Sequence, residues 1–239
     1  MTTRIVHSFN PITLIGGGEA SRADVDAARA LAPTCVAADG GADFARRHNV
    51  LLEAAVGDFD SISAETLSAL PDAARIHVAE QDSTDFEKAL RHIAAPAVVA
   101  VGFTGGRIDH QLAVLHVLVA CADTPCVVLG AEEIVFLCPR QISLPTSAGD
   151  VVSLFPLAAV SGASEGLKWP IDGLAFDPAR FIGTSNEAIG PVTLTMNDPA
   201  MIVILPRAYL GVVTQALASQ PPGARWTVRA GQYTAPPQS

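Results

Sequence analysis

The feature that most constrains this 239-residue chain lies in its first 130 residues. There, short and wholly apolar runs recur, each followed by glycines or aspartates and then by an amphipathic stretch. The runs are Ile12 to Ile15, Cys35 to Ala38, Ala54 to Val56, Ile76 to Ala79, Ala97 to Val101 and Cys126 to Leu129. A strand with one face in water alternates apolar and polar residues, whereas a strand covered on both faces is apolar throughout, as in a parallel sheet between helices. The intervening stretches carry helical spacing. Thr84-Asp85-Phe86-Glu87 is a capping-box sequence, after which Phe86, Ala89, Leu90 and Ile93 share one face. Ile108, Leu112, Leu115 and Val119 repeat that spacing and predict an apolar stripe on the next helix. Strand and helix in alternation predict an α/β fold: a Rossmann-like, doubly wound, mainly parallel sheet.

Past Ile134 the texture changes. Val151 to Phe155, Gly173 to Phe176, Val192 to Met196 and Met201 to Leu205 are separated by Gly, Pro, Ser and Asn, with no long helical period. This predicts a smaller all-β sandwich domain, dividing the chain into residues 1–138 and 139–239. Tyr209 to Leu217 fits strand or helix, and the Pro-rich end reads as loose.

Composition narrows the function. Apolar residues make up 49% of the chain but aromatics only 5%, so the core must be built from Ala, Val, Leu and Ile, and the chain is too apolar for disorder. Fifteen Lys and Arg against 24 Asp and Glu give a net charge of −9, which repels nucleic acid and anionic membranes. Cys35, Cys121, Cys126 and Cys138 form no Cys-x-x-Cys pair, which argues against structural zinc and for buried thiols in a reducing compartment. The longest apolar run, Leu112 to Ala122, is too short to span a bilayer, and no signal-peptide pattern opens the chain, so the expected location is the cytoplasm.

In an open α/β sheet, ligands bind beyond the carboxyl ends of the strands. In this chain those positions hold Gly16-Gly17-Gly18, Asp39-Gly40-Gly41, Gly57-Asp58-Phe59-Asp60-Ser61, Gln81-Asp82-Ser83-Thr84-Asp85 and Gly105-Gly106-Arg107-Ile108-Asp109-His110. Glycines allow close backbone approach and expose amides that cradle phosphate, although a single glycine after a strand is more often only a turn. The dinucleotide fingerprint fails because Ser21 stands where a glycine is required, and there is no Gly-Lys-Ser/Thr for a P-loop.

One aspartate after a strand is ordinarily a helix cap. Five on one edge (Asp39, Asp58, Asp60, Asp85 and Asp109) repel one another unless a cation bridges them, and hard oxygen ligands without His or Cys suit Mg²⁺ carrying phosphates. Asp58 and Asp60, two apart in an extended segment, would face one metal. Arg107 and His110 flank Asp109, where a guanidinium can hold phosphate bidentately. Lys88 reads equally well as an ordinary charge on a helix surface.

These motifs, in order and spacing, resemble those of thiamine pyrophosphokinase: Asp39-Gly40-Gly41-Ala42, Gly57-Asp58-Phe59-Asp60-Ser61, Asp82-x-Thr84-Asp85-Phe86-x-Lys88-Ala89-Leu90 and Gly105-Gly106-Arg107-x-Asp109-His110. Gly166-Leu167-Lys168-Trp169 and Thr184-Ser185-Asn186-Glu187 resemble that family's thiamine-binding segment. The resemblance implies transfer of a diphosphate from ATP to the hydroxyl of thiamine, with Mg²⁺, in a homodimer whose thiamine site lies between the α/β domain of one subunit and the β domain of the other. It makes Asp58, Asp60 and Asp85 the catalytic and metal-binding carboxylates, with Asp39 and Asp109 as further metal ligands. The nucleotide falls to Gly17, Gly18, Asp39, Gly40, Gly105, Gly106, Arg107 and His110. Gln81 and Thr84 border the reacting end of thiamine, Trp169 stacks on its pyrimidine ring, and Ser185 and Asn186 bond the polar edge of that ring.

Pro170 departs from the pattern by following the Trp where a strand would continue, and the segment after Pro206 has no assigned function. Two other readings use the same residues: a Mg²⁺-dependent phosphohydrolase, and a non-catalytic thiamine or nucleotide sensor.

Overall fold

All six apolar runs contribute strands, and their neighbours in space explain why they lack polar alternation. A computed structural model of the protein describes residues 4–227. In chain order the elements are β1 (Val6–His7), β2 (Ile12–Ile15), α1 (Arg22–Leu31), β3 (Thr34–Ala38), α2 (Gly41–Arg47), β4 (Ala54–Gly57), α3 (Ala64–Ala69), β5 (Arg75–His77), α4 (Asp85–His92), β6 (Ile93–Ala94), β7 (Val98–Val101), α5 (Ile108–Ala120) and β8 (Cys126–Leu129). The second half continues with β9 (Glu133–Leu137), β10 (Gln141–Leu144), β11 (Val151–Pro156), β12 (Val160–Leu167), β13 (Ala175–Phe176), β14 (Gly183–Met196), β15 (Met201–Pro206) and α6 (Leu210–Ala218).

The result is a mixed, sheet-rich α/β fold. β3, β4 and β5 pair in parallel, as do β2, β7 and β8. β3 lies beside β2, so the strand order turns back between β2 and β7. Beyond β8 every pairing is antiparallel: β9 pairs with β8 and with β15, and the path runs on through β11, β14, β12 and β13, with β10 beside β14. The residues of β2, β4, β7 and β8 are buried throughout.

Several local expectations change. The buried face of α5 carries Val114, Val117, Leu118 and Val119, while Ile108 and Leu112 are exposed. From Leu112 onward every residue of the helix except His116 is apolar, so more than one stripe fits its sequence and packing selects among them. Tyr209 to Leu217 resolves as a helical turn leading into α6. The chain stays anchored as far as Trp226, whose buried indole donates to the Cys138 carbonyl at 2.9 Å beneath the Arg140 guanidinium. The last part of the Pro-rich end, residues 228–239, lies outside the described residues. All four cysteines are buried and free.

Where the strand order turns back, two glycine loops meet backbone to backbone. Gly16 N–H donates to the Val101 carbonyl at 2.8 Å, and Gly18 N–H to the Gly102 carbonyl at 2.9 Å. A Cβ on Gly16 would stand 2.5 Å from the Gly102 oxygen, and one on Gly41 would stand 2.1 Å from the Ile15 oxygen. Close approach at the strand ends therefore requires glycine at these positions before any ligand is considered.

Candidate functional site

None of the five aspartates is a helix cap. Ser63 and Thr84 cap α3 and α4 with their side chains, and Gly40 and Arg107 occupy the cap positions of α2 and α5. Asp39, Asp58 and Asp60 instead converge, each offering an oxygen within 4.8 Å of the others. Backbone geometry brings this about. Asp39 ends β3 at φ +38, and Phe59 turns between Asp58 and Asp60 at φ +65, so the pair meets across a left-handed kink and not along an extended segment. Non-glycine residues adopt that region at a cost and cluster in it at functional sites.

Asp39 is almost fully buried: one carboxylate oxygen accepts the Ser61 N–H at 3.3 Å, and the other has no hydrogen-bond partner among the described residues. Burial, reinforced by the negative charges of Asp85 and Asp60, raises its pKa to about 7. An orphaned buried oxygen facing further carboxylates fits a hard divalent cation such as Mg²⁺.

Lys88 is no surface charge. It is 2% exposed, and its ammonium donates to Asp58 Oδ2 at 2.7 Å and to Asp85 Oδ1 at 3.3 Å. Gln81 Nε2–H donates to the same Asp58 oxygen at 3.1 Å. The Lys88 hydrogen bond holds the Asp58 carboxyl below its usual range. Burial raises that of Asp85 despite the ammonium beside it. Burial alone would lower the Lys88 pKa, but the two carboxylates hold it above its usual value. The capping box offered a helix start, but nothing in the spacing signalled that its fifth residue would turn inward.

These groups open onto a cleft of about 1230 Å³. Gly17, Gly18 and Gly40 line one part of it, and Gly105, Gly106, Arg107 and His110 another. Asp58, Asp60, Asp85, Gln81, Thr84 and Lys88 line the rest of the candidate site, with Asp39 beneath them. Asp109 stands outside the carboxylate group: it is exposed and ion-paired with Arg107 at 2.5 Å, which holds its pKa down to about 2. Sequence reading missed Asp43, another cleft residue, which ties α2 to α3 by accepting from the Ser63 N–H at 2.9 Å and from the Thr66 hydroxyl.

Of the residues expected to contact thiamine, Gln81 and Thr84 line the cleft, whereas Trp169, Ser185 and Asn186 form a second group on the β-rich half and do not. Trp169 is 55% exposed, which excludes a core role. Asn186 fixes the backbone of Trp169 from both sides, accepting its N–H at 3.2 Å and donating to its carbonyl at 2.8 Å. That clasp carries the chain through Pro170. Lys168 lies 5.0 Å from the Trp169 ring centroid, and Ser185 holds φ +61.

Two family profiles match the chain. The thiamin pyrophosphokinase catalytic domain covers residues 27–129, and the thiamin pyrophosphokinase vitamin B1 binding domain covers residues 140–201. The chain belongs to the thiamin pyrophosphokinase family. Thiamin pyrophosphokinase 1 of Caenorhabditis elegans is 27% identical over 149 residues, a match that spans 55% of this chain and 60% of the worm protein. A crystal structure of the thiamin pyrophosphokinase of Geobacillus thermodenitrificans shares 26% identity at a TM-score of 0.66, covering 82% of this chain and 97% of that one. The Candida albicans enzyme, at 15% identity and a TM-score of 0.67 over 84% of this chain and 93% of that one, shares the fold.

Two predictions follow from the charges. Lys88→Met strands Asp58 and Asp85 without their cation and is expected to cost about 3–5 kcal/mol at pH 7 by urea denaturation, with part of the loss recovered in the double variant with Asp58→Asn. Asp39 binds its proton more tightly folded than unfolded, so its contribution to stability is present below about pH 4 and is lost as pH rises toward about 7. In metal-free buffer Asp39→Asn should therefore gain stability relative to the parent across that window. A parallel pH profile for the two proteins would contradict the shift.

Proposed function

We propose that this protein transfers the diphosphate of ATP to the hydroxyl of thiamine, giving thiamine diphosphate and AMP. The observation that carries the reading is the convergence of Asp39, Asp58 and Asp60 beside Lys88 in a cleft lined by glycine loops, in a chain of this family. Asp39, Asp58 and Asp60 would hold Mg²⁺, with Asp85 joined to them through Lys88. When bound, that ion neutralises charge on the phosphate oxygens.

The remaining work falls to the chain's own groups. Lys88 keeps the Asp58 carboxylate ionised, and Lys88 and Gln81 together orient it. The glycine loops at Gly17 and Gly18 and at Gly105 and Gly106, with Arg107 and His110, receive the nucleotide, and Asp109 acts by orienting the Arg107 guanidinium. The thiamine hydroxyl oxygen bonds to the β-phosphorus as the bond to the bridging oxygen of the α-phosphate breaks, and AMP leaves with that oxygen. Asp85, its carboxyl raised by burial, takes the hydroxyl proton.

We further infer a cytoplasmic homodimer of two-domain subunits, a Rossmann-like unit over residues 1–138 and a β-sandwich over 139–239. The separation of the Trp169 group from the cleft supports this, because a second copy can bring its own Trp169, Ser185 and Asn186 to the cleft mouth. No helix among the described residues is long and apolar enough to cross a membrane.

The deciding experiment mixes the protein with ATP, Mg²⁺ and thiamine. AMP and thiamine diphosphate should appear together and only when thiamine is present; inorganic phosphate released without thiamine would indicate a phosphohydrolase, and binding without turnover a sensor. Asp58→Asn should abolish turnover in a folded protein, and near-normal activity would sink the metal assignment. Trp169→Ala should raise the thiamine KM with little change for ATP, whereas equal effects on both would contradict stacking.

A further inference from the structure

Outside the carboxylate group, α4 carries a second ion pair, buried Glu87 with half-buried Arg91, that has no part in the chemistry above. Glu87 is 3% exposed and points away from the cleft lining. Its neighbour one turn on, Arg91, places Nη2 2.6 Å from Glu87 Oε1 and Nη1 3.0 Å from Glu80 Oε1. Glu80 lies before α4, in the stretch that joins β5 to the helix, and its Oε1 also accepts the Ser83 hydroxyl at 2.5 Å. One guanidinium thus spans from a carboxylate fixed within the helix to a carboxylate in the loop, and the loop is closed on itself through Ser83.

Between those two anchor points stands Gln81, which donates to Asp58 at 3.1 Å. Residues 79–83 form no strand or helix. A buried ion pair is costly to desolvate and weak as a source of stability, so its value here must lie in fixing one arrangement. A planar guanidinium with donors on two edges suits this role, whereas an ammonium is a single point charge.

We propose that Arg91, anchored on buried Glu87, is a positioning residue that grips the 79–84 loop through Glu80 and so sets Gln81 against Asp58 at the reacting end of the cleft. The functional half of this inference rests on the reading of Gln81 as a neighbour of the acceptor substrate; the mechanical half does not.

The test uses Glu80→Ala, which removes the loop end of the grip at a half-exposed position and leaves the Glu87–Arg91 pair intact. ¹⁵N relaxation should show order parameters for residues 79–83 falling from the rigid range near 0.85 to below about 0.6, with α4 unchanged. The thiamine KM should rise about tenfold or more while the ATP KM stays within twofold. Arg91→Lys should reproduce the loosening, because one nitrogen cannot take the places of both Nη1 and Nη2. Unchanged order parameters in both variants would overturn the grip. A loosened loop with unchanged thiamine kinetics would keep the grip and overturn its role at the acceptor. If the protein makes no thiamine diphosphate, the relaxation data still decide the mechanical claim, so the two failures are distinguishable.

Discussion

The arrangement of the cleft depends on one buried ammonium. Lys88 has almost no contact with water, so its charge requires partners of opposite sign at hydrogen-bonding distance, and Asp58 and Asp85 provide them. That requirement fixes the rotation of α4 about its axis, with Lys88 toward the carboxylates and Phe86, Ala89 and Leu90 buried in the core. It also divides the aspartates. The Asp58 carboxyl is held below its usual range by the ammonium, whereas those of Asp39 and Asp85 are raised. A set of similar side chains thereby acquires unequal proton affinities.

Much of this could be read in the sequence, for identifiable reasons. Parallel strands buried on both faces leave unbroken apolar runs, and the carboxyl ends of those strands are where functional groups collect, so position alone points to Asp39, Asp58, Asp60 and Asp85, while Gln81 comes from the family resemblance. What escaped has equally physical causes. β12 presents Ser161, Ser164 and Glu165 on an antiparallel strand buried only at its two ends, and it lacks the apolar density of the first half. The packed face of α5 was ambiguous because every residue from Leu112 onward except His116 is apolar. Asp58 and Asp60 do meet, through a left-handed Phe59 and not an extended chain, and no sequence pattern announces a non-glycine residue in that region.

The glycines have a mixed account. As a sequence pattern they pointed to phosphate, yet Gly16, Gly18 and Gly41 are first required by backbone lying on backbone where β2, β3 and β7 end. The two explanations are linked. A cleft floor made of main chain without side chains is what close packing produces, and it is also a surface that an anionic ligand can approach.

The pairing of β9 with β15 has a consequence for how the chain comes to be folded. Residues 133–137 close the parallel half, yet their second hydrogen-bonding edge is met only by residues 201–206. During synthesis that edge stays open while about sixty-five further residues emerge, although β10 to β14 can already pair among themselves. The earliest-made half of the molecule is therefore sealed by one of its latest-made strands, and the interval between them is when an emerging chain is most open to pairing with a neighbouring copy.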